Sequence, residues 1–258
     1  MSLYNTLISE IEKSKKSYGY LISILLPLFI TAIITIILYI VFNEDTANSG
    51  YNQWKIMSQI NFAIYMFLYP LYLTIIIFLA TKIEHKSSGF KLLFSSASDK
   101  LNTYLSKYFL IVFWYLNSLL LACAFLYLVG NTLSYFYPEL GFQNYNIDTV
   151  IIAYFIKMFL GCLGILSIQF FLSIFWKKFF LSAGTGILLV IISYFLNLGE
   201  FKFLMPYSYS YSFTTEFINN QTDIFTKDVW FSLIYSVLFL FLGYYAFCNK
   251  NDLKSIDI

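Results

Sequence analysis

Apolar runs of about twenty residues recur six times along this chain, and no other feature of the sequence narrows its fold as much. A bilayer core about 30 Å thick is crossed by roughly 20 apolar residues in a helix. The runs fall at about Leu21–Phe42, Gln59–Thr81, Tyr108–Val129, Val150–Trp176, Phe179–Leu198 and Val229–Phe247. Pro27 lies near the start of the first and Pro70 in the middle of the second. The alternation of lipid-facing strands is absent, and backbone groups in lipid must pair within their own segment. The expectation is therefore an all-α polytopic membrane protein with six transmembrane helices. Composition agrees, with 59% hydrophobic and 12% charged residues, against roughly 25% charged in soluble domains.

The segment 1–20 is not expected to be part of a signal peptide, because the apolar run that follows these roughly 20 residues is too long for an h-region. Leu3, Leu7, Ile8 and Ile11 recur at helical spacing against Glu10, Glu12, Lys13, Lys15 and Lys16. This pattern predicts an amphipathic arm lying on the membrane surface. Lysines orient the spans: twelve fall in the N-terminal arm, the loop after the second span, the turn after the fourth and the tail, and three fall on the opposite side. Positive charge stays inside, so both termini are expected in the cytoplasm. The 82–107 loop is then cytoplasmic and the Tyr-, Phe- and Ser-rich 199–228 segment external. That external segment is expected to hold short interfacial or re-entrant helices. No repeat or linker divides the chain, which reads as a single transmembrane domain over 1–258.

Several chemistries are excluded. His85 is the only histidine and arginine is absent, leaving little for a zinc site, a Ser-His-Asp triad or any catalytic residue set. Cys123, Cys162 and Cys248 lie far apart without CxxC spacing, which gives neither a metal site nor a disulfide framework. No GxxxxGK[ST] motif occurs, so the chain holds no cofactor of its own and any ATP is hydrolysed on another subunit. The net charge of +2 gives no sign of a nucleic-acid partner.

Ionisable residues within spans are functional candidates, and Lys157 in the fourth span is the one present. It has two readings: a substrate or ion contact, or a side chain whose flexible stem reaches outward to the headgroups. The second is preferred. Without an Asp or Glu inside the spans, a proton relay would lack its carboxylates. Gly161-Cys162-Leu163-Gly164 and Ser182-Ala183-Gly184-Thr185-Gly186 allow close helix approach, either within the chain or between two chains.

The most informative stretch follows the second span: Ile83-Glu84-His85-Lys86-Ser87-Ser88-Gly89-Phe90-Lys91-Leu92-Leu93-Phe94, then Asp99-Lys100 and Tyr104-Leu105-Ser106-Lys107. Phe90, Leu93 and Phe94 share one helical face. This stretch resembles ABC-2-type permeases, in particular subunits similar to lantibiotic- and bacitracin-immunity transporters. Ser9–Lys16 ahead of the first span, Leu204-Met205-Pro206-Tyr207-Ser208 after the fifth and Asn249-Lys250-Asn251-Asp252 after the sixth look similar to the same family.

The resemblance implies a multi-pass permease in a bacterial cytoplasmic membrane. It implies two ABC ATP-binding subunits carrying ATP-Mg, and a second permease chain, identical or homologous. The ATPase-coupling residues it implies are Glu84, His85, Lys86, Gly89, Phe90, Lys91, Leu93 and Phe94. The substrate class it implies is amphipathic: an antimicrobial peptide, a lipid or a drug. Physical reasoning leads to the same place, since a stiff cytoplasmic helix joining two spans is something an ATPase can push on. A secondary carrier, a non-transporting scaffold and a membrane-embedded enzyme are the alternatives. The shortage of His, Arg and buried carboxylates counts against the enzyme.

Overall fold

The computed structural model describes residues 3–14, 17–41, 52–86, 100–142, 148–176, 178–196, 204–219 and 221–249. Among the described residues eight α-helices follow one another: α1 Leu3–Ser14, α2 Tyr18–Val41, α3 Gln53–Lys86, α4 Lys100–Phe136, α5 Asp148–Phe175, α6 Phe179–Leu196, α7 Tyr209–Ile218 and α8 Lys227–Asn249. Short 3₁₀ turns at Pro138–Leu140 and Pro206–Ser208 precede α5 and α7. Among the described residues no strand occurs. The chain is an all-α polytopic membrane protein: among the described residues five helices are long and apolar enough to cross a membrane, and Phe180–Phe195 is a shorter apolar one.

Helix α5 forms the centre. Of its most apolar stretch 72% is buried, against 28% in α2 and in α8, which face outward. Helices α3, α4, α7 and α8 pack around α5, while α2 lies on α3 and α4 and α6 lies on α3. The outward faces carry large apolar side chains such as Phe29, Phe113, Leu188 and Phe241. In lipid such surfaces need no protein cover, and the polar groups turn inward to find partners.

Two helices are longer than a bilayer requires. At about 1.5 Å per residue, the 34 residues of α3 and the 37 of α4 run about 51 and 55 Å, well beyond a core of about 30 Å. The loop expected over 82–107 is accordingly helical at both ends, since 82–86 complete α3 and 100–107 begin α4.

The small residues serve packing within the chain. Gly164 gives α8 its approach: a Cβ there would lie 3.0 Å from Ser232 Oγ and 3.1 Å from the Ser232 carbonyl. Ser232 in turn accepts from the Gly164 N–H at 2.9 Å and donates to the Gly161 carbonyl at 2.8 Å. A Cβ on Gly161 would overlap the ring of Phe213 from α7.

Pro70 shows how a proline inside a span is accommodated. Proline has no N–H, so the carbonyl four residues earlier loses its helical partner. That carbonyl belongs to Met66, and Ser210 of α7 donates its hydroxyl to it at 2.8 Å. The amphipathic arm, expected to lie on the membrane surface, packs along α4 and buries Thr6, Glu10 and Ser14, while Leu3, Leu7 and Ile11 are half-buried and Ile8 is exposed.

Candidate functional site

Residues 204–219, ahead of α8, pack into the bundle. Tyr209, Phe213 and Phe217, spaced at four residues, are all buried, as are Ser210 and Thr214 beside them. Thr214 donates to the Phe62 carbonyl of α3 at 3.3 Å, and its hydroxyl meets that of Tyr154 from α5 at 3.2 Å. Met66 lies seven residues into the apolar run of α3, about 10 Å at helical rise, and Ser210 reaches it. Helix α7 is thus seated against α3 and α5 within the bundle.

Lys157 sits where α5 meets α7. Its side chain is 0% exposed, and its ammonium donates to Glu216 Oε2 and, at 2.8 Å, to the Asp223 carbonyl. The rings of Phe213 and Phe217 lie 5.2 and 5.6 Å from the same nitrogen, close enough for cation–π attraction. One expectation is corrected here: Lys157 does not reach outward to headgroups, because its side chain is fully buried. Its carboxylate partner, Glu216, comes from α7 and not from within a span.

The pairing has a physical logic. Glu216 occupies the last turn of α7, where the helix dipole disfavours a negative charge. The ammonium offsets both the carboxylate and the carbonyl end of the helix. A buried lysine without such partners would carry a large desolvation cost. Around the pair stands an aromatic wall: Phe62 stacks on Tyr154 at 3.6 Å, and Phe217 meets Tyr154 edge-on at 5.4 Å. One lysine therefore joins α5, the end of α7 and the connector before α8.

A second polar centre ties α6 into the bundle. Gln169 of α5 accepts from Tyr207 Oη at 2.8 Å and from the Gly186 N–H at 3.3 Å, and donates to the Ser182 carbonyl at 3.1 Å. Tyr108 of α4, Ser167 of α5 and Ser236 of α8 share hydroxyl contacts of 2.9 to 3.3 Å. These contacts are the interhelical hydrogen bonds by which spans associate in lipid. Among the described residues, no three His, Cys, Asp or Glu side chains gather as a metal site would require.

The architecture of inward polar contacts and outward apolar faces is that of a polytopic membrane protein, and comparison gives the family. Residues 6–193 match the family described as ABC-2 family transporter protein. The chain belongs to that family. No curated protein matches the chain. The family match spans α1 to most of α6 and ends before α7 and α8. As a member, the chain is a multi-pass membrane permease subunit of an ABC transporter and works with an ATP-binding subunit.

The residues expected to couple to the ATPase divide in two. Glu84, His85 and Lys86 lie in the last turn of α3, and Gly89, Phe90, Lys91, Leu93 and Phe94 lie outside the described residues. Sequence reasoning missed Glu216 and Asp223 as partners of Lys157. The signal available was the fourfold spacing of Tyr209, Phe213 and Phe217 beside Ser210 and Thr214, which marks α7 as buried on more than one face.

Proposed function

We propose that this permease is the membrane half of an exporter that expels an amphipathic substrate, with an antimicrobial peptide as the preferred class and a lipid or drug as the others. The full chain 1–258 acts as one transmembrane unit in a bacterial cytoplasmic membrane, with both termini inside. Two ATP-binding subunits carrying ATP-Mg drive it, and a second permease chain, identical or homologous, completes the pathway. Glu84, His85, Lys86, Gly89, Phe90, Lys91, Leu93 and Phe94 form the surface on which the ATPase pushes.

The observation that supports this reading is the length of α3 and α4. Both outrun the bilayer, and together they flank residues 87–99. Rigid helices that leave the membrane on one side can carry force from a docked motor into the bundle. The start of α4 is further braced, because Lys107 pairs with Glu10 of α1 at 3.7 Å with both side chains nearly buried. Family membership favours ATP as the energy source over an ion gradient.

The test is co-expression with a P-loop ATPase, scored for copurification and for ATP-dependent extrusion from inverted vesicles. Phe90→Ala with Leu93→Ala is expected to insert normally yet lose ATPase binding or substrate-stimulated hydrolysis. Wild-type values for both would remove the coupling role from this face. Transport that persists in a proton gradient without ATP would favour the carrier reading instead.

A further inference from the structure

Lys157, Ser167, Gln169 and Ser236 all turn inward to find partners, and Asn117 of α4 does not. It lies nine residues from the start of the third apolar run, Tyr108–Val129, and twelve from its end. At helical rise that places it at least about 13 Å inside either edge. Its side chain is too short to reach the headgroups as a lysine stem does. The residue is half-buried, with exposed Phe113 and Leu120 one turn to either side. Among the described residues its carboxamide has no hydrogen-bond partner. Lipid tails offer neither donor nor acceptor, so the group calls for a polar partner from outside the chain.

The neighbours of Asn117 form a seam. Phe113, Asn117, Leu120, Ala124, Tyr127 and Asn131 follow one another at alternating spacings of four and three residues. None of the six is buried, whereas Ser118, Ala122 and Leu126 between them are buried against the bundle. Alternating fours and threes are the spacing by which two helices pack side by side, knobs into holes. Asn117, Ala124 and Asn131 share one position of that repeat. A small residue there lets two backbones come close, and an asparagine there sets register and partner number.

The same chemistry names the occupant. A carboxamide both donates and accepts, so Asn117 is its own complement. Copies of one chain insert with the same orientation and meet about a two-fold axis along the membrane normal. That axis sets α4 beside α4 in parallel, with equivalent residues facing each other. We infer that α4 is the seam at which a second copy of this chain docks, through hydrogen bonds between the two Asn117 carboxamides inside the bilayer. Asn131, fourteen residues on, holds the same register at the outer edge. The inference rests on the transport reading only in taking a second permease chain as the neighbour.

The experiment uses the full chain, purified alone and reconstituted in lipid vesicles, with Cys123→Ser, Cys162→Ala and Cys248→Ser. On that background Ala124→Cys should form a disulfide-linked dimer under mild oxidation. Phe241→Cys, exposed on α8, should not. Adding Asn117→Leu to Ala124→Cys should slow cross-linking about tenfold, the effect of losing two interhelical hydrogen bonds. Asn117→Gln, which keeps the carboxamide, should restore most of the rate.

Unfolding of the monomer in detergent guards against a folding defect. Asn117→Leu should leave it unchanged, because the chain itself offers the amide no contact. A loss of stability would show that Asn117 serves its own chain, and the seam is then overturned. Cross-linking at an undiminished rate in Asn117→Leu overturns it too, as does equal cross-linking of Phe241→Cys or none at all from Ala124→Cys. Neither an ATPase nor a substrate enters these measurements. ATP-driven efflux, assayed with an ATPase added, is therefore read apart: cross-linking without efflux defeats the transport reading, and efflux without cross-linking defeats the seam.

Discussion

Two short helices are docked on this bundle, one at each end, and each is held by an acid–lysine pair with a long helix. At the arm, Glu10 of α1 meets Lys107 of α4 at 3.7 Å and Lys13 of its own helix at 2.9 Å. In the outer segment, Glu216 of α7 meets Lys157 of α5, and that lysine also binds the Asp223 carbonyl. The arm has a reserve, since either lysine can neutralise Glu10. Among the described residues, α7 has no second cation on Glu216. Redundant charge makes a brace, and a single shared charge makes a joint that one substitution can open.

The largest effect should come from breaking the single joint on its acid side. Glu216→Gln leaves a sealed ammonium without a counter-charge, and removing one partner of a buried pair costs about 3–5 kcal/mol. Lys157→Met should cost less, because Glu216 retains access to solvent. The double variant should lie close to wild type, since replacing both charges by neutral groups is often neutral. Steric-trapping unfolding in bicelles measures all three. A double variant as unstable as Glu216→Gln would show that the charges contribute independently.

Next in size is the seat of α7. Gly161→Ala drives a methyl group into the fully buried Phe213 ring, and overpacking of this kind costs about 1–3 kcal/mol. The same unfolding assay applies, and an unchanged value would mean that Phe213 can step aside. Ser210→Ala should cost less, about 0.5–1.5 kcal/mol, because it removes one hydrogen bond in a membrane interior. Its cost should nearly vanish on a Pro70→Ala background. There the N–H of residue 70 returns to the Met66 carbonyl, and the hydroxyl of Ser210 becomes dispensable. Equal costs on both backgrounds would separate the serine from the proline.

How much of this was readable beforehand follows from which forces act locally. The six apolar runs located every long helix to within a few residues at the apolar centre, because lipid acts on each segment by itself. The ends were misjudged where polar side chains continue the helix. Gln53 to Ser58 extend α3 outward and Lys100 to Lys107 begin α4, and hydropathy is blind to both. The pairing of Lys157 with Glu216 spans 59 residues and depends on α7 turning inward, so no local pattern around Lys157 could show it. Pro70 is visible in the sequence inside the second run, but Ser210, which binds the carbonyl it leaves free, lies 144 residues from Met66. Polar contacts between distant helices are set by the assembled bundle, whereas burial in lipid is set by the segment.

The smallest effect should appear at the arm, and it sharpens the comparison most. Lys13 is 58% exposed and pairs with Glu10 one helical turn away, a geometry that contributes about 0.2–0.5 kcal/mol. Lys13→Ala should therefore shift unfolding by no more than that, and the shift should fade at high salt as the exposed charge is screened. Lys107→Met removes the nearly buried partner and should cost more, with little response to salt. After either change Glu10 keeps one lysine, so neither should approach the loss expected for Glu216→Gln. If Lys13→Ala proves the more damaging of the two, the docking of α1 depends on its own surface charge and not on α4. The arm would then be a membrane-facing helix that touches α4 incidentally, and the brace at the start of α4 would have to be sought elsewhere.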